Sequence, residues 1–214
     1  MSEALFHLRD LRFAYPGQPP LLQGVSLDIF SGDKILLRGA NGCGKSTLLN
    51  LLAGILKPLS GTLLLRGKPP SEQPPRGFRE LVLCRQRAGD DLFGITPRHD
   101  LESWRLAWPE RFGETAVQKL GDPLLKSLDT PYSKLSAGEL RAFTLLWLPL
   151  LLDKFWLLDE PTAGLDASRQ ERFAALCSAK QGSGHLIVSH SPALPESLFN
   201  RVLLLEKGAL RELE

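Results

Sequence analysis

Three short stretches hold side chains whose types and spacing could do chemistry. Gly39–Ser46 reads "GANGCGKS" and satisfies G-x-x-x-x-G-K-[ST], after one apolar run and before an apolar-periodic one. Glycines let a backbone wrap closely around phosphate oxygens, and converging N–H groups at a helix start favour anions. Lys45 would reach the β- and γ-phosphates of a nucleotide, and Ser46 would offer a hydroxyl to Mg²⁺. Alone, the stretch could also be a glycine-rich turn beside a surface lysine. In "FWLLDEP", four apolar residues lead into Asp159 and Glu160, which places two carboxylates at the C-terminal end of a buried strand. Asp159 would hold Mg²⁺ through water, and Glu160 would orient or deprotonate an attacking water. Solvated acids in a strand-end turn are the plainer reading. The third stretch, "LSAGE" at 135–139, fits S-x-x-E, a capping box in which Ser136 and Glu139 each accept from the other's backbone N–H. From five residues it is first the start of a buried helix. The phosphate loop and the acid pair together indicate a Mg²⁺-dependent nucleoside triphosphatase.

These residues need a scaffold, and the rest of the chain supplies one. Short apolar runs recur at 5–13, 34–39, 62–67, 80–86, 155–161, 185–190 and 201–208. Runs of four or five apolar residues without alternation suit strands covered on both faces, as in a parallel sheet. Helical segments are expected at Lys45–Leu56, Ser136–Leu148 and Asp166–Ala179, so strands alternate with helices and the class is α/β. Residues 5–33 carry strands and turn chemistry ("AYPGQPP") without a helix, which suggests a small antiparallel sheet. Residues 93–134 hold amphipathic, Trp-containing segments and no clear strand, so a short helical insertion is expected. "GKPPSEQPPRG" at 67–77 reads as a surface loop.

Composition sets limits. With 214 residues, 43% hydrophobic and 23% charged, the chain can bury a sizeable core as one domain over 1–214. A net charge of +2 and no basic run argue against a nucleic-acid partner. Cys43, Cys84 and Cys177 are far apart and lack metal-ligand spacing, which fits a reducing, cytosolic setting. The N-terminus lacks the apolar core of a signal peptide. The longest uncharged apolar stretch, Ala142–Leu152, contains Pro149 and is far shorter than the roughly 20 residues of a spanning helix.

Taken in order, "FAYPG", "GANGCGKS", "VLCRQ", "LSAGE", "WLLDEP", "AGLD" and "IVSH" resemble the nucleotide-binding subunits of ATP-binding cassette (ABC) transporters, nearly end to end. The resemblance implies a P-loop NTPase core at 34–92 and 135–214, with the antiparallel part at 5–33 and the helical subdomain at 93–134. It implies ATP bound by Tyr15 and by Gly39, Ala40, Asn41, Gly42, Cys43, Gly44, Lys45, Ser46 and Thr47. Mg²⁺ would be held by Ser46, Gln86 and Asp159. Glu160, His190 and Gln86 would serve hydrolysis, with His190 bonded to the γ-phosphate. Tyr15 would stack on adenine, although it also fits a half-buried strand aromatic. Two copies would pair head to tail, so that Ser136, Ala137, Gly138 and Glu139 face the partner's ATP and Asp166 lies at the seam. Asp166 is equally a good N-cap for the helix after it. Membrane-spanning transporter subunits would be further partners, with the chain peripheral on the cytoplasmic face of the cell membrane.

There are departures. The usual signature has glycine where Ala137 stands and glutamine where Glu139 stands, and Ala142 and Trp147 replace residues that are often basic. Glu139 should weaken the partner site slightly unless the capping box occupies its carboxylate. The apolar helix after it could pack in the core, the favoured reading, or face a partner. "DDLFGITPRHDLESWR" resembles cassettes of energy-coupling-factor importers, and the compact chain with its Trp-bearing signature helix is similar to the cassette of the haem exporter of cytochrome c maturation. The importer is preferred. The alternative is a regulatory or scaffolding nucleotide-binding subunit with weak hydrolysis, paired with an active paralogue.

Overall fold

The computed structural model describes residues 4–72 and 80–213. Two sheets form the body. A three-stranded antiparallel sheet has β1 (Phe6–Phe13) at its centre, flanked by β2 (Leu22–Ile29) and β4 (Ser60–Leu65). Phe6 and Leu8 point inward at period two, but so do Leu11 and Phe13, three and five residues beyond Leu8. A bulge restores the phase: Asp10 takes φ 45, and the pairing register slips between Leu8 and Leu11. Gly61 lies against the bulge, where an added Cβ would come within 2.3 Å of the Asp10 carbonyl oxygen. The run at 62–67, expected in the buried parallel series, is therefore an antiparallel strand. A local apolar run has the same appearance in either sheet.

The second sheet has the order β5 (Leu81–Cys84), β6 (Phe155–Asp159), β7 (His185–Val188), β3 (Lys34–Arg38), β8 (Arg201–Glu206) and β9 (Ala209–Leu213). The first five are parallel, and β6 and β7 are buried throughout, as their unbroken apolar runs require. β9 returns antiparallel through a two-residue turn in which Lys207 and Gly208 both have positive φ. Its mostly exposed "ALREL" gave no apolar signal.

Helices α1 (Lys45–Leu52), α4 (Ala137–Leu146) and α5 (Ala167–Ala179) flank the parallel sheet, while α2 (Pro97–Ala107) and α3 (Glu114–Gln118) form the insertion. α1 ends four residues before the expected Leu56, where Gly54 takes φ +74. α4 ends at Leu146, and Pro149 sits in the following 3₁₀ turn Leu148–Leu151. From Arg141 to Leu148 every residue is buried, so the apolar helix faces the core. It packs with Trp156 and Leu158 of β6, Phe173 of α5 and Phe112 and Leu101 of the insertion. A second cluster joins the antiparallel sheet to α1 and β3. Of the loop expected at 67–77, residues 73–77 lie outside the described residues. Among those described, no helix is long and apolar enough to cross a membrane.

Candidate functional site

The parallel order brings four strand ends together. Pairing aligns Cys84 with Leu158, Asp159 with Val188, and Val188 with Leu37. The segments that leave these ends carry Gln86, the Asp159–Glu160 pair, His190 and the loop Gly39–Ser46. This is the carboxyl edge at which open α/β sheets hold ligands.

The loop turns on glycines. Gly39, Gly42 and Gly44 have φ of 150, 78 and 110, and a Cβ on Gly39 would lie 2.3 Å from the Leu205 carbonyl oxygen. Ala40, Asn41 and Gly42 are exposed, and Cys43 is half-buried. The Lys45 ammonium curls back to donate to the carbonyls of Gly39 (2.6 Å) and Ala40 (3.0 Å). At the start of α1 the Tyr15 hydroxyl and Thr47 Oγ1 are 3.2 Å apart, and the Tyr15 ring stands edge-on to Phe13 at 5.0 Å. The aromatic is thus tethered beside the loop while its ring remains partly exposed.

Burial pushes the Asp159 carboxyl above its ordinary range, opposed by the neighbouring Ser46 hydroxyl and by the charges of Lys45 and Arg141. Ser46, Asn50, Arg85, Gln86 and Asp159 line a cavity of about 220 Å³. A serine hydroxyl and an aspartate facing the same open space are a hard-oxygen donor pair of the type that suits Mg²⁺, which keeps most of its shell for water and phosphate. Among the described residues no cluster of three or more His, Cys, Asp or Glu could hold a metal by itself.

Glu160 leaves β6 with φ 47, a left-handed conformation rare for residues other than glycine, while its N–H donates to the Val188 carbonyl at 2.9 Å. Burial raises its carboxyl pKa, opposed by the His190 charge and backbone. His190 is exposed, with Nε2 3.9 Å from Glu160 Oε1.

The remaining expected residues lie at α4 and α5. Ser136 caps α4 in a complete capping box: its N–H and hydroxyl donate to Glu139 Oε2 at 2.9 and 2.7 Å, and Ser136 Oγ accepts from the Glu139 N–H. Those bonds hold the Glu139 carboxyl below its usual range. Ala137 is exposed, so its methyl meets no crowding. Gly138 is different, because a Cβ there would lie 2.4 Å from the Gly164 carbonyl oxygen of the loop between β6 and α5. Asp166 caps α5, accepting from the Arg169 N–H at 2.9 Å.

Sequence reasoning missed Arg141 as part of the site. Buried on α4, its guanidinium donates to the carbonyls of Arg85 (2.9 Å) and Gln86. A single charge at the head of an otherwise apolar run was the available signal.

Residues 22–163 match the family model described as ABC transporter. The chain belongs to the ABC transporter family. A putative ABC transporter ATP-binding protein of Treponema denticola is 32% identical over 216 residues, covering 99% of this chain and 43% of its own length. The cassette thus spans less than half of that relative. An energy-coupling factor transporter ATP-binding protein, EcfA, of Methanothermobacter thermautotrophicus is 29% identical, with 96% of this chain and 69% of that one covered. A cytochrome c biogenesis ATP-binding export protein, CcmA, of Rhizobium etli is 32% identical, with 82% and 84% covered. Among solved structures, cbiO1 of Clostridium perfringens, part of the ABC transporter complex cbiONQ, superposes with TM-score 0.76 at 23% identity, covering 98% of the cassette and 88% of that chain. It supports the α/β fold with its antiparallel N-terminal sheet. An energy-coupling factor transporter protein and an export protein stand at similar identity, so sequence likeness does not choose between the two.

Proposed function

We propose that this cassette is the ATP-hydrolysing subunit of a membrane transporter, working as a head-to-tail dimer beneath separate membrane-spanning subunits. The observation that carries the reading is the convergence of the Gly39–Ser46 loop, Asp159 beside Ser46 in one cavity, Glu160 and His190 on one sheet edge. Loop N–H groups and Lys45 would bind the phosphates, and Tyr15 beside Thr47 would stack on adenine. Ser46 and Asp159, with Gln86 across the cavity, would hold Mg²⁺, which when bound neutralises phosphate charge. Glu160 would take the proton of the attacking water, a role suited to a carboxyl whose basicity burial has raised. His190 would steady it and donate to the γ-phosphate.

Ser136, Ala137, Gly138 and Glu139 would face the partner's ATP, with Asp166 at the seam and nucleotide joining the two subunits. One observation favours the weaker-hydrolysis alternative: the Ser136 hydroxyl donates to Glu139 and must turn away before it can donate to a phosphate. The cassette would act from the cytoplasmic face of the membrane, and the membrane-spanning subunits would set the direction of transport.

The test is ATP turnover of the parent and of Glu160→Gln, each with its membrane partner. The parent should turn over and the variant should not, while the variant forms a stable dimer in ATP. A parent no faster than the variant would sink the enzyme reading, and a strictly monomeric variant would sink the sandwich.

A further inference from the structure

Arg141 is 3% exposed and is the one charge of its helix beyond the first turn; no carboxylate among the described residues pairs with it directly, although its charge is felt at Asp91 and Asp159. A buried guanidinium without an ion pair is costly, and an apolar side chain would fill the same space more cheaply. Its hydrogen bonds give the reason. Nη1 donates to the Arg85 carbonyl at 2.9 Å and Nη2 to the Gln86 carbonyl, so one planar fork holds two consecutive backbone oxygens. From the other side the same turn is held by Asp91, which accepts from the Arg85 N–H (2.7 Å) and the Arg85 side chain (2.9 Å). The peptide carrying Gln86 is therefore gripped on both sides, at the rim of the cavity that Ser46 and Asp159 line. Arg141 lies five residues beyond Ser136 in the helix that Ser136 caps.

We propose that Arg141 is a positioning residue that clamps the Gln86 turn to the signature helix, so that Gln86 and Ser136 are set in place as one rigid piece. Gln86 serves this subunit's ATP and Ser136 the partner's. The clamp would thus make the state of one nucleotide site felt at the other. This rests on the ATPase reading above for its catalytic consequence, though the clamp itself does not.

The experiment uses the full chain as parent, Arg141→Gln, Arg141→Lys and Asp91→Asn, with amide hydrogen exchange, ADP affinity, kcat and KM measured on each. Arg141→Gln should raise exchange at 85–91 and 136–140 together while leaving Gly39–Ser46 unchanged. ADP affinity should stay within about threefold, and kcat should fall about tenfold or more, since small misplacement of a positioned group is costly. Lysine should not restore kcat, because a point charge cannot serve both carbonyls. Asp91→Asn should act alike, and the double variant should be little worse than either single. Exchange that rises at only one segment, or an unchanged kcat in an active parent, overturns the proposal. So does ADP affinity falling in step with kcat, as general loosening would give. If Arg141→Gln does not fold, Asp91→Asn decides by the same criteria. A parent without turnover refutes the ATPase reading instead, and the exchange result still decides the clamp.

Discussion

Gly138→Ala adds a single methyl at a place where the backbone of another loop already sits. The new Cβ would lie 2.4 Å from the Gly164 carbonyl oxygen, about 1 Å short of the 3.4 Å at which ordinary contact begins. The obstacle is backbone, and it is fixed: Thr162 and Leu165 on either side are buried, and turn bonds run from the Ala163 N–H to Glu160 and from the Leu165 N–H to Thr162. Overpacking of this sort costs about 1–3 kcal/mol. Replacing glycine in a helix returns at most about 1 kcal/mol, less in the first turn. The net loss should be about 1–2 kcal/mol, which for a domain of this size lowers Tm by about 2–8 °C. Thermal unfolding of the nucleotide-free variant measures it. Ala137→Gly is the control at an exposed neighbour and should cost no more than about 1 kcal/mol of helix propensity. Because the displaced loop ends at Asp166, ATP-driven dimerisation should weaken beyond what lost folding stability explains. A variant that melts at or above the parent temperature and dimerises normally would refute the close-packing argument.

Glu139→Gln should leave ATP-driven dimerisation unchanged or make it tighter, since in the proposed dimer it removes a negative charge near the partner's phosphates while an amide oxygen can still cap Ser136; sedimentation of the Glu160→Gln background in ATP checks this, and a clear loss of dimer would mean that the carboxylate itself contributes to the interface. His185 is fully buried and neither ring nitrogen has a protein partner. Burial pushes its pKa down to about 3. The unfolded chain therefore takes up this proton below about pH 6.5 while the folded chain does not, so stability falls as pH drops, by about 2 kcal/mol between neutral pH and pH 5. His185→Leu should remove that slope in urea titrations at the two pH values; an unaltered slope would place the acid sensitivity elsewhere.

Much of the site was legible because its chemistry is local. The loop at 39–46, the strand ending in Asp159 and Glu160, and the S-x-x-E cap each occupy a few consecutive residues whose types dictate the geometry. What escaped depends on partners far along the chain. Nothing near Thr62 says that Leu63 and Leu65 pair with β1 rather than with β3, because an apolar run satisfies both. Gly138 reads as a flexible helix start until Gly164, which is 26 residues away, is seen against it. Arg141 was visible as a lone charge, but its two carbonyl acceptors lie more than fifty residues earlier. β9 was hidden for another reason: an edge strand exposed on most of its length carries little of the apolar pattern by which strands are recognised.

Glu160 has a further consequence through its backbone. A residue with a Cβ in the left-handed region costs on the order of 1 kcal/mol that glycine would not, and asparagine less than most. Selection for robustness alone would therefore drift this position toward glycine. The fold would gain margin against heat and mutation and lose the carboxylate proposed as proton acceptor in the same step. Screens of variants for thermal tolerance should return Glu160→Gly as a hit, and a stability-guided redesign of this cassette would remove the proposed hydrolysis unless position 160 were held fixed.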